Sequence, residues 1–172
     1  KNIKMKKICI TGTKGKTTVV RLLDEILHKL NYDTLRVDTD GHYINQKQKS
    51  TFDDAKRIYG LVPTVCPGKY LIDLDQLNSD KSVAILETSV GSSSVPGLGY
   101  FYHDIGLFLN IYEDHIGTRI KNKEQLADAK GFVFEQVINT GFRILNADDK
   151  LVVKKYHENK ESGQAIAFGI NF

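Results

Sequence analysis

Apolar and polar positions along the chain alternate between short strand-like runs and longer helix-like periods. Lys7 to Thr11 encloses a continuous apolar run that reads as a buried strand. Val20, Leu23, Ile26, Leu27 and Leu30 then recur at helical spacing across Thr17 to Leu30, with Asn31 near the end. A second strand is expected from Thr34 to Thr39, followed by a turn at Asp40-Gly41 and a small hairpin at Tyr43-Ile44-Asn45-Gln46. From Ser50 to Ser79 the pattern is mixed, with short helices expected at Asp53 to Tyr59 and Leu71 to Leu77. Order returns with a strand from Ser82 to Leu86 that ends on Glu87, a Gly- and Ser-rich loop to Gly99, and a strand from Asp104 to Asn110. The remainder predicts a helix from Lys123 to Asn139, a strand from Phe142 to Asn146, a helix from Asp148 to His157 and a last strand from Ala165 to Phe168.

The first strand breaks into Thr11-Gly12-Thr13-Lys14-Gly15-Lys16-Thr17-Thr18, which opens the first helix. Two glycines let backbone N–H groups converge on an anion, and the helix N-terminus adds partial positive charge. Lys16 can reach terminal phosphates, and the Thr17 hydroxyl can complete a Mg2+ shell. A nucleoside triphosphate is the expected ligand. A general phosphate loop has a glycine five positions before Gly15; Ile10 stands there, so the loop is a shorter variant. Continuous apolar strands alternating with helices predict an α/β fold with a doubly wound, mainly parallel sheet of the P-loop NTPase-like kind, carrying its ligand at the carboxyl ends of the strands.

That rule brings three strand ends together. One delivers the phosphate loop, one delivers Glu87, and one leads into Glu113, Asp114 and His115. A carboxylate at the end of a buried strand beside phosphates suits Mg2+, a hard ion that prefers oxygen ligands. The bland reading of Glu87 is a helix cap or an ion pair, and that of His115 a hydrogen-bonded loop residue.

At 172 residues the chain is long enough for one domain with a sizeable core, and it shows no internal repeat. A net charge of +3 with both signs interspersed leaves no footprint for nucleic acid or a membrane surface. No apolar run approaches a membrane span, and the basic start is too short for a signal peptide. Cys9 and Cys66 lack metal-ligand spacing and read as free thiols, so a reducing, cytoplasmic setting is expected.

Five blocks in order carry a resemblance: the loop from Thr11 to Thr18, Leu86-Glu87-Thr88-Ser89, Asn110-Ile111-Tyr112-Glu113-Asp114-His115, Asp128-Ala129-Lys130, and Leu145-Asn146-Ala147-Asp148-Asp149. Together they resemble the ATP-binding central domain of the Mur ligase superfamily. Thr39-Asp40-Gly41-His42-Tyr43-Ile44 and Pro96-Gly97-Leu98-Gly99-Tyr100 make the chain most similar to the Mur-type part of the cyanophycin synthetases. Lys14 departs from the asparagine usual at its position and adds a charge beside the phosphates. Ser89 to Ser94 departs from a segment that usually carries an arginine and paired glycines.

The resemblance implies an ATP-dependent carboxylate–amine ligase that works through an acyl phosphate, with ATP and Mg2+ as its nucleotide and metal. It implies that Gly12, Thr13, Lys14, Gly15, Lys16, Thr17 and Thr18 hold the phosphates, and that Thr17, Glu87 and His115 serve the metal. Lys16, Lys130 and His115 act on the transferring phosphoryl group, and Asn146 and Asp149 border the base and ribose. Lys130 stands where many Mur ligases carry a lysine carbamate; a free ammonium on the γ-phosphate, or a solvated helix lysine, are the other readings. Asn146 and Asp149 equally suit an ordinary strand exit and helix cap. The resemblance further implies carboxylate and amino-acid substrates, a C-terminal Rossmann-like domain, an N-terminal domain in cyanophycin-like members, and a fragment that is inactive alone.

Two rivals remain. Asp114-His115-Ile116-Gly117 satisfies the Asp-x-x-Gly pattern of GTPase switches, but Asn122-Lys123-Glu124-Gln125 lacks the aspartate that reads guanine and follows too closely for a crossover. The other is a scaffold that retains the fold without catalysis.

Overall fold

The computed structural model describes residues 5–77, 81–90, 97–114, 116–117, 119–159 and 163–171. Its centre is β1 (Lys6–Thr11), whose apolar residues leave both faces of the strand in need of cover. It is flanked in parallel by β5 (Ser82–Glu87), buried along its whole length, and by β6 (His103–Phe108). Outward from β5 lies β2 (Asp33–Asp38), also parallel. Outward from β6 come β7 (Val137–Asn146) and β8 (Gln164–Phe168), again parallel. A hairpin of β3 (Gly41–Ile44) and β4 (Lys47–Thr51) extends the β2 edge antiparallel, giving the order β4-β3-β2-β5-β1-β6-β7-β8. The mainly parallel α/β sheet is therefore as expected. The hairpin is larger than the four residues read for it, because Asn45 and Gln46, both at positive φ, form the turn rather than an arm.

Strand alternation divides the core between the faces. Ile10, Val83, Ile85, Leu107 and Leu109 pack with Val20 of α1 (Lys16–Lys29) on one side. Cys9, Phe108 and Leu145 lie on the other, under Leu126 of α3 (Lys123–Lys130), Phe134 of α4 (Phe132–Glu135) and Val152 of α5 (Lys150–Glu158). The same face continues over β2 and β5, where Leu35, Val37, Ala84 and Leu86 meet Ala55 of α2 (Phe52–Tyr59) and Tyr70. Tyr70 lies in a 3-10 stretch, Pro67–Gln76, that is longer and tighter than the short helix expected from Leu71 to Leu77. A Cβ on Gly106 would come within 2.0 Å of the Val133 carbonyl oxygen, so the bare backbone at that point admits the close approach of α4 to β6.

One expectation fails clearly. The helix read from Lys123 to Asn139 stops at Lys130, resumes briefly to Glu135, and gives way to β7 at Val137. Val137, Ile138 and Thr140 are β-branched and lose side-chain freedom in a helix. Val137 pairs with His103 at the start of β6, and that tertiary pairing overrides the local period. Among the described residues no helix is long and apolar enough to cross a membrane. Cys9 and Cys66 are both free and buried.

Candidate functional site

The site begins where β1 leaves the sheet. Gly12 (φ 148°) and Gly15 (φ 82°) take backbone shapes that L-residues rarely adopt, and Gly15 is the N-cap of α1. The Val19 N–H donates to Gly15 O at 3.0 Å, so the amides of the preceding helical residues, Lys16, Thr17 and Thr18, have no partner in the helix ladder and are available to an anion. The Lys16 ammonium folds back to donate to Thr13 O at 3.2 Å. Burial lowers its pKa, against the opposing pull of the Glu87 and Asp114 carboxylates. Thr18 is exposed on the first turn, and exposed Lys14 sits 3.9 Å from the Asp114 carboxylate.

Glu87, at the carboxyl end of β5, is 3% exposed. Among the described residues its side-chain partners are neither the amides of a helix start, as a cap would have, nor a cation within ion-pair distance, but two hydroxyls. The Thr17 hydroxyl donates to its Oε2 at 2.8 Å and the Thr39 hydroxyl to its Oε1 at 3.2 Å. Burial raises its pKa, only partly offset by the Thr17 hydrogen bond and the Lys16 charge. The ionised carboxylate is thus held in a place that favours a counter-charge. Thr39 is a member of this cluster that the pattern of the chain marked only as a strand end. Its position is set by Arg21, which bonds Asp38 at 2.9 Å and also pairs with Asp40, clamping the residues on either side to α1.

Lys130 projects from α3 into the same region and is 1% exposed, which rules out a solvated helix lysine. Its pKa is pulled down to about 8, chiefly by burial and then by the Lys16 ammonium, against the favourable Asp114 and Glu87 charges. His115 lies outside the described residues. So do Gly91 to Pro96, which include most of the serine-rich segment that departs from the related sequences.

Asn146 and Asp149 border a cavity of about 360 Å³ together with Ile111, Tyr112 and Lys123. Their polar atoms already have protein partners. Asn146 Nδ2 donates to Leu109 O at 2.9 Å, Asp149 Oδ2 accepts from the Ile111 N–H, and Asp149 Oδ1 caps α5 by accepting from Leu151 N and Val152 N. Asn122 caps α3 by accepting from Gln125 N at 2.9 Å, so its side chain is committed to the helix and not to reading a base.

Glu87, Thr17 and Thr39 supply hard oxygen donors of the kind Mg2+ takes. Among the described residues no group of three or more His, Cys, Asp or Glu forms a cage for a metal. A cation here would therefore need phosphate and water oxygens to complete its shell, which is the usual habit of Mg2+.

The family model for the Mur ligase middle domain matches residues 10–171. A cyanophycin synthetase from Crocosphaera subtropica is 32% identical over 165 residues, covering 95% of this chain and 17% of that protein. The chain thus spans about one sixth of the length of that relative. Among solved structures, a UDP-N-acetylmuramoyl-L-alanyl-D-glutamate–2,6-diaminopimelate ligase superposes with a TM-score of 0.70 at 22% identity, over 98% of this chain and 32% of that one. A bifunctional folylpolyglutamate synthase/dihydrofolate synthase with Mn, AMPPNP and L-glutamate bound has a TM-score of 0.64 at 16% identity, over 98% and 44%. With the matched segment running from β1 past β8, the chain belongs to the Mur ligase middle-domain family.

Proposed function

We propose that the chain is the nucleotide-binding part of an ATP-dependent carboxylate–amine ligase of the cyanophycin synthetase kind. The observation that carries this reading is the buried Glu87 carboxylate, held by Thr17 and Thr39 directly beside a phosphate loop whose Lys16 is drawn inward. The relatedness to cyanophycin synthetases and the Mn and AMPPNP named for one structural neighbour support it.

On this reading Gly12, Gly15 and the first amides of α1 receive the phosphates of ATP, and Lys16 balances charge on the terminal pair. Thr17, Glu87 and Thr39 would hold Mg2+, with His115 added from the family resemblance. The ion would neutralise charge on the transferring phosphoryl group. A substrate carboxylate oxygen bonds to the γ-phosphorus as the bond to the β-phosphate oxygen breaks and ADP leaves. An amine then bonds to the acyl carbon, inorganic phosphate leaves with the former carboxylate oxygen, and the nitrogen loses a proton. No side-chain nucleophile is required. The depressed pKa of Lys130 makes its neutral amine accessible near pH 8, as carbamylation by CO2 requires.

The amine substrate and the other half of the nucleotide cleft belong, on this reading, to a further domain of the Rossmann type. Positioning supplies most of the advantage in such a reaction, so losing one reactant's site removes it. The 172-residue chain should therefore bind ATP weakly and form amide about 1,000-fold or more slower than the full-length gene product, assayed side by side with ATP, Mg2+ and candidate carboxylate and amine substrates. Equal rates from the two would show that the chain is a complete enzyme. A full-length product that consumes no ATP with any carboxylate would overturn the ligase reading.

A further inference from the structure

The phosphate loop is anchored from outside itself. Asn110, two residues beyond β6, accepts from the amides of Thr13 (3.1 Å) and Lys14 (2.9 Å) through Oδ1, and its Nδ2 donates to Lys14 O at 3.1 Å. Its backbone oxygen accepts a further bond from Thr13 N at 3.0 Å. Thr13 Oγ1 accepts from Tyr112 N at 3.0 Å. Contact is close enough that a Cβ on Gly12 would lie 3.0 Å from Leu109 Cβ and 3.3 Å from Asn110 N. Behind this turn stand Asn146, bonded to Leu109 O, and Asp149, bonded to the Ile111 N–H. A continuous run of hydrogen bonds therefore leads from the N-terminus of α5, through the exit of β6, to the loop.

We propose that Asn110 is a positioning residue that holds the phosphate loop in its anion-receiving shape, with Asn146 and Asp149 acting behind it as supports. This rests on the reading of the loop as the nucleotide site. A side chain that grips both an N–H and the C=O of Lys14 fixes the orientation of the peptide planes on either side of that residue. Those planes decide where the remaining loop amides point. Asn110 is a planar amide with a donor and an acceptor at the required separation, and neither alanine nor a hydroxyl-bearing residue reproduces that pair. The position of Asn146 and Asp149 at the cavity wall, with their polar atoms turned to backbone, makes them supports of the turn and not readers of the base.

The experiment uses the 172-residue chain, with amide hydrogen exchange at Thr13 and Lys14 and NMR titrations with ATP and with adenosine. Asn110→Ala should accelerate exchange at Lys14 about 10-fold, as loss of a pair of hydrogen bonds implies. It should weaken ATP by a similar factor and leave adenosine affinity unchanged. Asn110→Asp keeps the acceptor but loses the Nδ2 donor to Lys14 O, so Lys14 exchange should rise by less than in Asn110→Ala while ATP affinity still falls. Wild-type exchange with wild-type ATP affinity in this variant would also count against the proposal. This isosteric variant decides the matter if alanine impairs folding. Wild-type exchange and wild-type ATP affinity in Asn110→Ala would overturn the proposal, as would equal loss of ATP and adenosine binding. If the unaltered chain bound no ATP, the nucleotide reading would fall, and the exchange rates alone would still show whether Asn110 orders the loop.

Discussion

Glu87→Gln is expected to weaken Mg2+-dependent ATP binding and turnover by about 10- to 100-fold without lowering stability, because a ligand or its close support is lost while the fold is relieved of a buried charge. The glutamine amide is nearly the same size and keeps a carbonyl oxygen that can accept from Thr17 or Thr39, whose bonds to Glu87 span 2.8 and 3.2 Å. The sign of the stability effect follows from burial, which raises the Glu87 pKa. In the free protein the folded state holds this proton more tightly than the unfolded chain, so stability is greatest at low pH and is lost as pH rises through the raised folded pKa. At neutral pH the wild type bears that cost and the glutamine variant does not. Thermal melts at pH 5 and pH 7.5 should show the variant equal to or above the wild type at the higher pH. Melting well below wild type there, or unchanged Mg2+ dependence of ATP turnover, would remove Glu87 from the metal site.

Lys130→Met should raise the stability of the free chain by about 3 kcal/mol at pH 7, the energy equivalent of holding a buried ammonium at about 8 instead of 10.5. Below pH 8 both folded and unfolded wild-type chains carry the proton, and the folded one bears the full cost. Between about 8 and 10.5 the unfolded chain binds the proton more tightly than the folded one, so wild-type stability climbs with pH. The advantage of methionine should therefore shrink across that window. Urea denaturation at pH 7 and pH 10 gives both differences. A variant less stable than wild type at pH 7, or an advantage that does not change with pH, would contradict the burial of a charged lysine. In the full-length gene product the same substitution should abolish turnover, since a stabilising loss of charge at a functional site removes the group the reaction uses.

The parts of the fold that could be read from residue order are those where local period and tertiary placement agree. The apolar run before Gly12 is buried from Cys9 to Thr11, and of the helical positions after Lys16 Val20 is buried and Leu23 and Leu27 are partly covered, whereas Ile26 and Leu30 stay exposed. The same agreement put Glu87 at a strand end, because every residue from Ser82 to Leu86 on β5 is apolar or small enough to be covered on both faces. Agreement fails at Val137 to Asn139, where the period continues a helix but pairing with β6 makes a strand. Thr39 could not be singled out, because its value lies in meeting Glu87 across 48 positions of chain and in the Arg21 clamp on its neighbours. Asn146 and Asp149 were legible as a strand exit but not as supports, since the Leu109 and Ile111 backbone groups they hold are distant in sequence.

The edge carrying Gly12 to Thr18, Thr39 and Glu87 should receive a Mg2+-bound nucleoside triphosphate. A titration of the uniformly labelled 172-residue chain with ATP, followed by amide chemical shifts with Mg2+ present and with Mg2+ chelated, tests it most directly. The predicted result is a set of shifts confined to the phosphate loop, the first turn of α1 and the ends of β2 and β5, stronger with Mg2+ and weakened in Glu87→Gln. Shifts that cluster instead at the opposite edge of the sheet, around Lys6, Asp104 and Gly141, or binding indifferent to Mg2+ in both proteins, would contradict it.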